Sequence, residues 1–141
     1  MTTIWDQAAE PERTTELSEQ ECWDFLRGCS FGRLAYRTAD EVNIVPINAV
    51  VDGDRVLFRT AEGSKLLGMH MSERVAFEAD QVNDEVATSV VAKGPARELR
   101  TGVEQARAEA VLPPPWTAGW KGTFVAIQVE EITGRHFQLR R

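Results

Sequence analysis

Six strand-like runs joined by tight turns, with no strand–helix–strand alternation among them, predict a mainly β chain with flanking α-helices. The architecture that fits is a six-stranded antiparallel barrel of small size, its openings covered by two or three helices. A proline inside the second run bears on the same choice. Pro46 has no N–H to give to a ladder, so its strand needs an edge or a bulge there, and closure removes the edges it would otherwise expose.

Residues 1–16 are polar, contain Pro11 and show no periodicity; they are read as a flexible N-terminal arm, loose or laid on a partner's surface, and residues 17–141 as the barrel domain. Ser18 opens a helix with Glu21 three residues on, the signature of a capping box, and Leu17 is placed to pack on Cys22 as a staple. Cys22, Phe25 and Leu26 form a one-sided stripe that stops at Gly28. The first strand is Gly32 to Arg37, followed by a polar turn from Thr38 to Glu41 and a longer strand from Val42 to Val51. Asp52-Gly53-Asp54 supplies the positive φ of a tight hairpin, and Arg55 to Thr60 is the third strand. A short helix is expected after Gly63. Arg74 to Asp80 is the fourth strand, with Val75, Phe77 and Ala79 on one face, and Ala87 to Leu99 a fifth, bent at Gly94-Pro95. Gly102 to Val111 has helical spacing, Pro113-Pro114-Pro115 ends it, and Thr123 to Ile132 is the last strand.

The 141 residues suffice for one domain with a proper core. Composition is that of an ordinary globular protein, 43% hydrophobic and 27% charged. A net charge of −6 gives no electrostatic footprint for nucleic acid or an anionic membrane. No apolar run approaches the ~20 residues that span a bilayer, and the N-terminus lacks the basic-then-apolar order of a secretory signal, so a cytoplasmic protein is expected. Cys22 and Cys29 read as small buried hydrophobes, not as a disulfide or metal pair.

The most informative stretch runs from Val56 to Leu66. It begins as a strand, breaks at Gly63 and restarts as a helix at Ser64-Lys65. Helix N-terminal N–H groups, the Thr60 and Ser64 hydroxyls and the Arg59 and Lys65 cations could converge there on one phosphate. The plainer alternative is a capped turn with both cations in solvent. His70 reads as a surface or helix-end residue. His136, after Arg135, either reaches a phosphate or carboxylate or ends a solvated strand. Glu78, Asp80, Asp84 and Glu85 read as a solvated strand end and loop, not as a carboxylate pair. There is no zinc-type Cys/His spacing, no His-Glu-x-x-His and no Gly-x-Ser-x-Gly elbow.

Taken in order, several pieces resemble a known family. They are Gly32-Arg33-Leu34-Ala35, Ile44-Val45-Pro46-Ile47-Asn48, Phe58-Arg59-Thr60 through Gly63-Ser64-Lys65, Val75 to Asp80, Ser89-Val90-Val91, Pro115-Trp116 and Ile132-Thr133-Gly134-Arg135. Together they resemble the pyridoxamine 5′-phosphate oxidase-like family of FMN-binding split β-barrels, in its short actinobacterial-type flavin or deazaflavin form. The resemblance implies a homodimer with FMN in a groove between two barrels, and an oxidoreductase that passes hydride or electrons between a nicotinamide or deazaflavin donor and a small molecule. It implies that Arg59, Thr60, Ser64 and Lys65 hold the phosphate and that Pro46, Ile47 and Asn48 lie beside the flavin ring. Ser89, Trp116 and Arg135 complete the implied set: Trp116 either covers the partner's flavin or plugs the barrel mouth, and Arg135 or Arg33 supplies a cation at the ring's pyrimidine edge. F420 or haem in place of FMN, or a non-catalytic dimeric module, are the alternatives within the same fold. The chain departs from many relatives in carrying Thr88 where a Trp is common and Glu41-Val42 at a usual Gly-x-Pro turn, and it lacks the C-terminal segment tied to oxidation of vitamin B6 phosphates.

Overall fold

Alternating burial along the strands builds the molecule. The structure, a computed structural model, describes residues 14–38, 40–60, 74–115 and 122–139. In chain order the elements are β1 (Thr14–Glu16), α1 (Glu19–Arg27), β2 (Phe31–Thr38), β3 (Glu41–Asp52), β4 (Arg55–Thr60), β5 (Arg74–Val82), β6 (Val86–Glu98), α2 (Gly102–Val111), β7 (Thr123–Gln128) and β8 (Glu131–Gln138). Strands β2 to β7 close a six-stranded barrel through antiparallel pairs, in the order β6-β5-β2-β3-β4-β7 and back to β6. Strand β8 lies outside the closure on β6 and carries β1 on its far edge.

The split is made by β6 changing partner. Its residues 86–93 pair with β8, and Ala96 to Glu98 pair with β7. Between them lies Gly94, where a Cβ would land on the Gln128 carbonyl oxygen, so only glycine lets the β7-to-β8 bend come this close. Pro95 follows with no N–H to place at the exchange. The Glu130 N–H donates to the Lys93 carbonyl at 2.8 Å and pins the bend.

Most expected elements are found within a residue or two, and β4 and α2 have the expected bounds. The expected final strand is instead two, β7 and β8, turning at Val129-Glu130, where no Gly, Pro, Asn or Asp marks the reversal. The last three residues of the expected arm form β1. The helix expected after Gly63 lies outside the described residues.

The barrel interior is filled by Leu34, Val56, Phe58, Phe77, Val90, Val125 and Ile127. Helix α1 closes one end with Cys22 and Leu26, both buried. Its capping box is complete: the Ser18 Oγ accepts from the Glu21 N–H, and the Ser18 N–H donates to the Glu21 carboxylate. A second core lies on the outer face of β4 and β7, where Leu57, Leu99 and Ala126 meet Ala108 and Leu112 from α2 and the residue after it. Fully burying Phe58 or Leu57 contributes about 1.5–3 kcal/mol each. Both cysteines are free thiols, as expected, with Cys22 buried and Cys29 half-buried.

Candidate functional site

Strand β3 is twice as long as β4, and the surplus makes an edge. β4 pairs with β3 only from Ala49 to Asp52. The Ala49 N–H donates to the Ser30 carbonyl at 3.2 Å, which sets the phase of the β2–β3 ladder. Ile47 and Val45 therefore turn their backbone groups toward β2, while Asn48, Pro46 and Ile44 turn theirs outward. Among the described residues no strand covers that outward edge. Pro46 sits where a missing N–H costs no ladder bond, and it leaves its carbonyl beside the N–H and C=O of Asn48.

Facing this edge is a cleft of about 460 Å³, a size common for small-molecule sites. Its β3 side is Pro46, Ile47 and Asn48, with Ser30 next to them. Its other side is Leu112 and the three prolines that end α2, an apolar wall of fixed φ. Arg59 stands at the back. None of the described lining residues carries a carboxylate.

Among the described residues, Arg59 is held by Pro113, Phe124 and Glu109. Its Nη1 donates to the Pro113 carbonyl, its guanidinium carbon lies 5.4 Å from the centre of the Phe124 ring, and Nη2 is 3.5 Å from the Glu109 carboxylate. The side chain is 11% exposed, so it faces the cleft from within the packing of β4 against α2.

Of the sequence-derived candidates, the structure gathers Pro46, Ile47, Asn48 and Arg59 into this one cleft. Thr60 is the next residue on β4, paired with Thr123. Ser89 and Arg135 are cross-strand partners in a different groove of about 370 Å³ on the β6–β8 sheet, with Thr133, Glu16 and Phe137. Ser64, Lys65 and Trp116 lie outside the described residues. The proline wall was not among the candidates; the signal that marks it is the triple proline just after the end of α2.

Cleft and groove share the outer face. Successive cross-strand partners Pro46, Arg33, Glu78, Val91 and Thr133 form one row across five strands, about 19 Å along the sheet. Mid-row, Arg33 Nη1 meets both Glu78 and Asp80 at 2.8 Å, and the Ser89 hydroxyl donates to the other Glu78 oxygen at 3.2 Å. Glu78 is thus half-buried in a carboxylate pair with Asp80 around one arginine, which corrects its reading as solvated; Asp80, Asp84 and Glu85 are exposed, as expected of a strand end and loop. Burial first, then the neighbouring Asp80, pushes the Glu78 carboxyl above its ordinary range. Arg33 is committed to these acids. Thr88 Oγ1 meets the His136 Nδ1 at 2.9 Å. On the same face Phe31, Val42 and Ile44 are 47%, 81% and 67% exposed.

The closed strands, the departing β8 and the cleft beside the β3 edge define a split β-barrel. The pyridoxamine 5′-phosphate oxidase family model matches residues 18–136, and the chain belongs to that family. A Corynebacterium glutamicum protein named for pyridoxamine 5′-phosphate oxidase is 39% identical, with 94% of this chain and 99% of that one covered and a TM-score of 0.85. An FAD binding protein from Mycobacterium smegmatis is 40% identical, over 89% of this chain and all of the other, with a TM-score of 0.79. Rv3129 of Mycobacterium tuberculosis, itself uncharacterized, is 45% identical over 89 residues, 63% of this chain and 81% of that one. An FAD and haem binding protein from M. smegmatis, 14% identical with a TM-score of 0.68, shares the fold. No helix among the described residues is long and apolar enough to cross a membrane.

Proposed function

We propose that this protein is a flavin-binding oxidoreductase that works as a homodimer, with the flavin ring in the cleft between the β3 edge and the proline wall. The cleft itself carries the reading: an apolar wall faces a backbone edge that alternates acceptor and donor, with one cation and no described carboxylate lining it. Such an edge suits the alternating carbonyl and N–H groups of a flavin's pyrimidine ring, and the prolines suit its flat face. When bound, the flavin supplies hydride or electron transfer, so the chain need provide no nucleophile of its own. The roles left to the residues are then simple. Asn48 and the Pro46 carbonyl orient the ring, Leu112 to Pro115 exclude water from one face, and Arg59 offers positive charge to the anionic end, where Thr60, Ser64 and Lys65 are proposed to join it.

The exposed apolar strip of Phe31, Val42 and Ile44 supports the dimer. A two-fold pairing through that face would set the groove of one subunit, with Ser89 and Arg135, opposite the cleft of the other. FMN is the first choice of cofactor, since the chemistry around Arg59 asks for one phosphoryl group. FAD is the second, favoured by the M. smegmatis protein that shares 40% identity. A nicotinamide or deazaflavin donor and a small-molecule acceptor complete the reaction.

Fluorescence titration of FMN, FAD and F420 into the purified protein, run beside sedimentation velocity, tests the proposal. Saturable quenching of a flavin at one site per subunit, with a dimeric sedimentation coefficient, is expected. A monomer that leaves all three unquenched would contradict it.

A further inference from the structure

We propose that Glu109 is a resident competitor for the ligand's phosphoryl group, pairing with Arg59 until a phosphate displaces it, and so limits how far the cleft prefers phosphorylated over unphosphorylated flavins. The inference rests on the flavin reading of the cleft and names the residue that tunes it.

The contacts of Arg59 with Phe124, Pro113 and Glu109 differ in strength. Phe124 fixes the plane of the guanidinium, and the Pro113 carbonyl belongs to the cleft wall, so both hold the group where it is. The Glu109 contact is the soft one. It is 3.5 Å long, and its carboxylate is 65% exposed while Arg59 is 11% exposed. Glu109 also stands in the last turn of α2, where the helix dipole disfavours negative charge and no basic residue offsets it. Half in water and wrongly placed on its helix, this carboxylate has little besides Arg59 to hold it there.

Among the described lining residues, a phosphate entering the cleft meets no carboxylate and one cation, Arg59. Charge-assisted hydrogen bonds from a guanidinium to phosphate are strong and directional, whereas a 3.5 Å contact to a largely exposed carboxylate is weakened by water and salt. The exchange therefore favours phosphate: Glu109 swings into water, and Arg59 keeps the Pro113 carbonyl and Phe124. The displacement still has a cost, and only a ligand with an anionic group bears it.

The test compares FMN with riboflavin, which lacks the phosphate, on the wild type and on Glu109→Gln. Removing the competitor should tighten FMN by about two- to fivefold at low salt, the scale of one exposed ion pair, and leave riboflavin unchanged. The gain should shrink as salt is raised. FMN affinity unchanged by the substitution, or both flavins shifted by one common factor, would show that Glu109 only props the wall and would overturn the inference while leaving the flavin reading intact. A second measurement stands apart from flavin: inorganic pyrophosphate titrated against the Arg59 Nε–H signal by NMR. Tighter pyrophosphate binding in Glu109→Gln with no flavin bound by either protein would sink the cofactor reading and keep the competitor. No perturbation of Arg59 by pyrophosphate or FMN would overturn both.

Discussion

Gly94 and Gly134 leave little or no room for a side chain on the two strands, β6 and β8, that make the split. A Cβ at Gly134 would sit 2.9 Å from Cys22 Sγ and from Val90 Cγ2, side-chain atoms that can yield; at Gly94 it would strike the backbone of Gln128, which cannot. Gly134→Ala should cost about 1–3 kcal/mol in urea unfolding, and Gly94→Ala clearly more. Equal and small losses would mean that the close approach of β6 to the β7–β8 bend is not required. Two carboxylates make opposite predictions with pH. Asp52 accepts from Arg107 at 2.7 Å and from Arg55 at 3.2 Å, and the Arg107 bond above all holds its carboxyl below the ordinary range. Its stabilisation is thus full above the unfolded value of about 3.9 and lost as pH falls through the folded one, so Asp52→Asn should be less stable than wild type at neutral pH, with the gap closing in acid. Glu78 is raised, chiefly by burial with Asp80 adding to it and Arg33 and Ser89 opposing. Its contribution is present below the unfolded value of about 4.3 and lost as pH rises through the folded one, so Glu78→Gln should flatten the decline in stability over that window. Stability of the two variants measured by chemical unfolding from acid to neutral pH checks both signs.

Elements were legible wherever local chemistry and periodicity agreed. Ser18 and Glu21 announced α1, and Gly53, with φ of 65°, announced the β3–β4 hairpin. Removing the cap with Ser18→Ala should cost about 1 kcal/mol, read as a lower midpoint with an unchanged denaturant slope. No loss would mean that packing of Cys22 and Leu26 alone holds the helix. The reversal between β7 and β8 was not legible, because Val129-Glu130 has no turn residues and is fixed by the Glu130–Lys93 bond to another strand and by the glycine opposite. Strand β1 was hidden for a related reason: three residues without a pattern become a strand only when β8 offers them an edge.

At the scale of the whole molecule, one outer face holds the cleft, the groove and the exposed Phe31, Val42 and Ile44. Arg59 was a candidate on local grounds, as a cation at a strand end ahead of a helix start. Pro46 to Asn48 entered as site residues through the family resemblance, local chemistry saying only that the strand of Pro46 needs an edge or a bulge. That Ser89 and Arg135 lie in a separate groove is a property of the sheet order, which no local pattern encodes. The carboxylate pair at Arg33 was missed for the same reason, since Glu78 and Asp80 meet their partner only through the β2–β5 register. If the strip is the subunit interface, Ile44→Asp should convert a dimer to a folded monomer and weaken flavin binding, as sedimentation with circular dichroism would show; a variant that stays dimeric places the interface elsewhere. A crystal structure of the protein grown with FMN is the most direct test of the cofactor site. The ring should lie between the Pro46–Asn48 edge and the Pro113–Pro115 wall, with its phosphate on Arg59. Flavin seated on another face, with that cleft unoccupied in the same crystal, would contradict the assignment.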